Sequence, residues 1–102
     1  MDALHAILPR ALAELLRQGP MSQGKLEVAW RTAVGDGLSR VTVVVLKPEG
    51  VVEVQPADAR WYQELRRSSN VILARLKALL GPDAVTRLSL QGGPAERSRY
   101  HR

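Results

Sequence analysis

Side chains able to carry acid–base or metal chemistry are few in this chain and stand far apart. His5 and His101 lie near opposite ends of the 102 residues, and there is no cysteine. The ten Asp and Glu residues are scattered, with no histidine–carboxylate spacing of the kind that holds zinc. Catalysis needs titratable groups brought together in one pocket. This distribution argues against an enzyme and implies no cofactor, no metal and no small-molecule substrate. Gly35-Asp36-Gly37 is a dense glycine cluster, but it closes a helical pattern and does not open one. It therefore cannot offer helix N–H groups to a phosphate as a P-loop does.

Cations tell a different story. Fifteen Lys and Arg against ten Asp and Glu leave a formal charge of +5. Residues 1–39 balance, and residues 40–59 are slightly acidic. Between residues 60 and 80, Arg60, Arg66, Arg67, Arg75 and Lys77 stand against Glu64 alone. The segment 81–102 adds Arg87, Arg97, Arg99 and Arg102 against Asp83 and Glu96. Charge gathered in this way is the footprint of a polyanion partner, although Arg-rich solvated helix faces are also common. The residues expected to touch phosphate are Arg60, Arg66, Arg67, Arg75 and Lys77, with Arg40, Lys47 and Arg87 as further contacts. Such contacts position a strand without reading its bases.

Trp30 and Trp61 each have two readings. An exposed indole stacks on an unpaired base, worth ~1–3 kcal/mol; a buried one anchors a core. Each lies on the apolar stripe of its own helical pattern, which favours the core. Tyr62, off that stripe, and Tyr100, near the C-terminus, are better placed to stack.

The elements that must position these residues follow from hydrophobic period. Leu4, Ile7, Leu8, Ala11, Leu12, Leu15 and Leu16 mark one stripe of an amphipathic helix, with Asp2 as a cap and Pro9 at a kink or in the first turn. Gly19-Pro20 ends it, and Met21–Gly24 reads as a linker. Leu26, Ala29, Trp30, Ala33 and Val34 give a second helix over 25–37, with Gly35 and Gly37 as terminators. Val41–Leu46 is β-branched and apolar on both faces, as in a strand covered on both sides or central in its sheet. Lys47-Pro48-Glu49-Gly50 is turn chemistry. Val51–Gln55 alternates as a half-exposed strand, and Pro56 stops it. Asp58 is a plausible N-cap for a long helix over Ala59–Leu80, whose stripe is Trp61, Leu65, Ile72, Leu76 and Leu79. Gly81-Pro82 ends that helix, and Ala84–Leu90 alternates as a third strand.

The order α-α-β-β-α-β gives an α+β fold in which a three-stranded mixed sheet carries helices on one face. The predicted core is Leu12, Leu15, Leu16, Leu26, Trp30, Val34, Val43, Val45, Val52, Val54, Trp61, Leu65, Ile72, Leu76, Leu88 and Leu90. Residues 1–90 form the domain; 91–102, with Gly92-Gly93-Pro94, read as a flexible basic tail. No apolar run approaches the ~20 residues of a membrane span, and the N-terminus lacks the build of a signal peptide. No membrane partner is expected. Without cysteine there are neither disulfides nor thiolate metal sites, so a reducing cytoplasm is the expected compartment.

The order of several short motifs resembles a known family. Trp30-Arg31-Thr32-Ala33-Val34-Gly35 matches a W-x-x-x-V-G element, and Gly50-Val51-Val52-Glu53-Val54 is similar to a G-x-L-x-V strand. Ala59-Arg60-Trp61-Tyr62-Gln63-Glu64-Leu65 is similar to a W-A/Y-x-E-L helix start. Leu76–Gly81 and Val85–Leu88 complete the series. Over roughly residues 5–90 the chain resembles the DciA family, small bacterial proteins linked to loading or operating the replicative DNA helicase. The resemblance implies a K-homology-like fold, binding to single-stranded DNA and contact with the helicase hexamer during replication initiation. A nucleoid-associated place in the cytoplasm follows from the same likeness. The GXXG phosphate clamp of K-homology domains is absent, so ordinary K-homology RNA reading is not expected. Duplex DNA or RNA are further partners the charge alone would suit. The alternative is an RNA-binding module of the ribosome or of RNA processing.

Overall fold

A computed structural model describes residues 10–92. Asp2, His5, Pro9 and the first half of the Leu4–Leu16 stripe lie outside the described residues, as do residues 93–102 with Tyr100 and His101. Among the described residues, three α-helices and three strands follow in the expected order: α1 (Arg10–Leu16), α2 (Gln23–Arg40), β1 (Thr42–Lys47), β2 (Val51–Pro56), α3 (Ala59–Leu80) and β3 (Arg87–Leu90). The fold is α+β with a mixed sheet in the order β1-β2-β3. β1 and β2 pair antiparallel, and β2 and β3 pair parallel across the α3 crossover.

Local chemistry explains the element ends. Ser22 caps α2, its Oγ accepting from Lys25 N at 3.2 Å, so the predicted linker over 21–24 is largely the helix start. Gly35 breaks α2 with φ 90° and ψ 163°, a region open to glycine and strained for other residues. The chain then resumes helical structure to Arg40, so Gly37 lies inside this last stretch and does not terminate it. Pro48–Gly50 forms the tight turn between β1 and β2. Gly50, at φ 75°, is held against the approach to β3. Thr86 N donates to Gly50 O at 2.8 Å, and a Cβ on Gly50 would meet Ala84 O at 2.8 Å. Asp58 caps α3, and Gly81 closes it, its N–H donating to Lys77 O.

The register places Thr42, Val44 and Leu46 on one sheet face with Val52, Val54, Leu88 and Leu90. Val44, Val52 and Val54 are buried there, and α2 packs on β1 while α3 packs on β2 and β3. The core beneath the helices is completed by Leu16, Leu26, Ala29, Trp30, Ala33, Val34, Leu65, Ile72, Leu76, Leu79, Leu80 and Val85. Each fully buried aliphatic side chain contributes ~1.5–3 kcal/mol. Trp30 is 2% exposed, and its Nε1 donates to Thr42 Oγ1 at 2.9 Å, which joins α2 to β1.

Several predicted core residues lie elsewhere. β1 is an edge strand with one face in solvent: Val43 is 59% exposed and Val45 37%. The all-apolar run that suggested a central or doubly covered strand instead leaves a valine-bearing open face. Leu15 is 62% exposed on α1. Trp61 is half-buried and outside the buried cluster. β3 is shorter than predicted, because residues 82–84 form a turn and the strand begins only at Arg87. At the other end, Gln91 N donates to Val54 O at 2.8 Å, one residue into the predicted tail.

Candidate nucleic-acid interface

The eight predicted phosphate contacts divide between two sides of the molecule. Lys47 and Arg87 both stand in register with Val51, from opposite neighbours, so their side chains share the open sheet face. α3 packs against the other face. Lys47 also lies 3.8 Å from Glu53 on that open face. Arg40 is exposed at the C-terminal end of α2. The structure therefore sets Lys47 and Arg87 on the sheet face away from the bases of α3.

Within α3 the bases divide again. Arg60 Nη2 lies 3.4 Å from Asp58 Oδ2, and its guanidinium sits 5.8 Å from the centre of the Trp61 ring. Arg67 Nη2 is 3.6 Å from Glu64 Oε1, one helical turn away. Both pairs are in solvent, where such contacts contribute little and hold the cation loosely. Arg75 is half-buried, and its Nη1 is enclosed without a hydrogen-bond partner among the described residues. Its head is thus only partly available to a ligand.

Arg66 and Lys77 differ from these. Neither has a carboxylate within ion-pair distance among the described residues. Eleven residues apart on a helix of 3.6 per turn, they fall about 20° apart in direction and ~16 Å apart in rise. Gln63 and Asn70 belong to the same line, all four within about 60°. Arg66, Gln63 and Asn70 are exposed, while Lys77 is half-buried, consistent with a stem laid along the surface and an ammonium in water. Opposite them, Leu65, Ile72, Leu76 and Leu79 are buried. The amphipathic pattern of α3 thus turns a cation-and-amide line outward by burying the leucines. Sequence reading named Arg66 and Lys77 but missed Gln63 and Asn70; neutral amides leave no charge signal, and only position on the helix picks them out.

Asp58 anchors the start of this helix, its Oδ1 accepting from Arg60 N at 3.0 Å and Trp61 N at 3.3 Å. Desolvation pushes its carboxyl upward, but the hydrogen bonds from Trp61 and Arg60 and the Arg60 charge outweigh it, holding the group below the ordinary carboxylate value. Among the described residues, no group of three or more His, Asp or Glu gathers at metal-binding distance, and no helix is long and apolar enough to cross a membrane.

The molecule is thus a small α+β domain whose long helix joins the core on one side and carries bases on the other. A family profile described as "Dna[CI] antecedent, DciA" matches residues 3–90, and the chain belongs to the DciA family. Among curated relatives, a UPF0232 protein of Mycolicibacterium smegmatis is 32% identical over 84 residues, covering 79% of this chain and 43% of that protein. Another from the same species, described as a UPF0232 protein in the recF-gyrB intergenic region, is 31% identical over 84 residues with the same coverage. The chain spans less than half the length of these relatives. No solved structure matches it.

Proposed function

We propose that this domain is a non-enzymatic adaptor that binds single-stranded DNA and assists loading or operation of the bacterial replicative helicase. Membership of the DciA family supports the helicase side of this reading. The DNA side rests on one observation: Arg66 and Lys77 stand on one line of α3 with no carboxylate in pairing distance among the described residues, flanked by the amides of Gln63 and Asn70. In this reading Arg66 and Lys77 hold phosphates, the amides add hydrogen bonds to the backbone, and Arg60 and Arg67 supply positive field from the other flank. Arg75 contributes through its exposed side. Arg40, Lys47 and Arg87 lie apart from that line and serve as secondary contacts. Phosphate contacts from Arg66 and Lys77 fix position without reading sequence, so weak base specificity is expected. In this reading the protein acts in the bacterial cytoplasm, at the nucleoid.

The test is fluorescence anisotropy with a labelled single-stranded DNA, a matched duplex and a matched RNA over a salt series. Affinity is expected to fall with salt by ~0.7 log unit per log salt for each phosphate contacted on a single strand. The variant with Arg66, Arg67 and Lys77 all changed to Glu is expected to lose binding while keeping its circular dichroism. Undiminished affinity in that variant removes the α3 line from the site, and a clear preference for RNA replaces the DNA reading. A calorimetric titration against purified replicative helicase, with and without the oligonucleotide, tests the partner.

A further inference from the structure

The outer edge of β1 holds an arrangement that DNA binding does not use. An edge strand presents unpaired N–H and C=O groups, and a run such as Thr42-Val43-Val44-Val45-Leu46 is well suited to pairing with another copy. In β1 the outward-facing backbone groups belong to Thr42, Val44 and Leu46, because the intervening residues pair with β2. Ala57 N donates to Val41 O, in keeping with this phase.

Gln23, on the first turn of α2, reaches across to that edge. Its Nε2 donates to Val44 O at 2.7 Å, and its Oε1 accepts from Leu46 N at 2.9 Å. One carboxamide thus makes the two bonds that a neighbouring strand would make at those positions. Glu27, one turn further along α2, accepts the second Nε2 hydrogen at 2.9 Å and so fixes which end of the amide faces which backbone group. Both amide hydrogens and the oxygen are occupied. Beside this contact Val43 and Val45 point into solvent, so the strand combines an apolar open face with an edge closed only by a side chain.

We propose that Gln23 is an edge guard: its carboxamide occupies two central outward hydrogen-bonding positions of β1, Val44 O and Leu46 N, and so keeps this strand from pairing with the β1 of a second copy. The guard is needed because β1 carries no proline and no mid-strand charge, the usual devices against edge pairing.

The experiment compares the unaltered chain with Gln23→Ala by sedimentation velocity over a series of protein concentrations, together with amide hydrogen exchange. The unaltered chain is expected to show no association through β1 and a protected Leu46 amide. In Gln23→Ala, that amide is expected to exchange about tenfold faster at low concentration. The protein then associates as concentration rises, and protection returns on association. Adding Val43→Lys to Gln23→Ala is expected to abolish association while Leu46 stays fast, since an edge lysine opposes pairing. Gln23→Asn, which withdraws the amide by one methylene, guards against a folding failure of the alanine variant and is expected to associate as well. A folded Gln23→Ala or Gln23→Asn protein that exposes the Leu46 amide yet stays at a single mass overturns the proposal. Unchanged Leu46 protection does the same.

Discussion

Along α3 the inward residues Leu65, Ile72, Leu76, Leu79 and Leu80 are closed from solvent, while Gln63, Arg66, Arg67 and Asn70 on the outward side are open to it. The two faces are interleaved residue by residue, so immediate neighbours in the chain have unlike surroundings. Leu76 is fully buried, while Lys77 beside it is only half-buried. Folding free energy therefore depends on one face, and the proposed binding on the other. The same helix can be altered in either property with little effect on the second.

The largest effect expected from this contrast is on the inner face. Leu76→Ala removes a fully buried side chain and is expected to cost ~2–5 kcal/mol in urea unfolding, as loss of a core leucine does. Next in size is Trp61→Ala. A half-buried indole beneath the Arg60 guanidinium loses less than the ~3–5 kcal/mol of a buried aromatic, so about half that figure is expected and the domain stays folded. Trp30→Ala, with its ring at 2% exposure and its Nε1 bonded to Thr42, is the comparator that reaches the full range. Equal costs for the two tryptophans would erase the distinction between them.

On the outer face stability is expected to change by less than ~0.5 kcal/mol, as for ordinary surface substitutions. Binding separates the residues instead. Arg66→Ala is expected to lower the salt dependence of single-strand affinity by ~0.7, one phosphate contact. Arg67→Ala is expected to lower it less, because Glu64 already shares that cation. Equal slopes for the two would mean that the Glu64 pair opens freely and that carboxylate partners do not sort the bases.

How much of this was legible in the sequence depended on how local the cause was. Helix α3 was readable from Ala59 to Leu80 because its cap, its period and its Gly81-Pro82 stop all agree within the segment. The turn before β2 was readable for the same reason. β1 was placed in the sheet, but its all-apolar run suggested cover on both faces. Whether a strand lies at an edge depends on how many strands exist and in what order, and no period within six residues carries that. Trp61 was misread for a related reason: it keeps the stripe position of a core residue, but at the first turn of α3 the neighbouring elements do not close over it. Ion pairs followed the same rule. The Arg67–Glu64 pair is visible as a three-residue spacing, whereas Lys47–Glu53 needs the hairpin register, and the Gln23 bonds to Val44 and Leu46 need the packing of α2 on β1.

The smallest effect lies where the two faces of α3 begin. Asp58 accepts from the N–H groups of Arg60 and Trp61, and its folded carboxyl titrates below the ordinary value. A carboxylate depressed in the folded state stabilises above its unfolded pKa, near 3.9, and that contribution fades as pH falls toward and through the lower folded value. Urea unfolding of the unaltered chain should thus show an acid-side loss that Asp58→Asn lacks, since asparagine caps a helix without a charge to titrate. Above pH 5 the two proteins should be nearly equal in stability, as Asn and Asp are nearly equal N-caps. An identical acid-side slope in both would assign the loss to other carboxylates and leave the Asp58 cap as a hydrogen-bonding device alone.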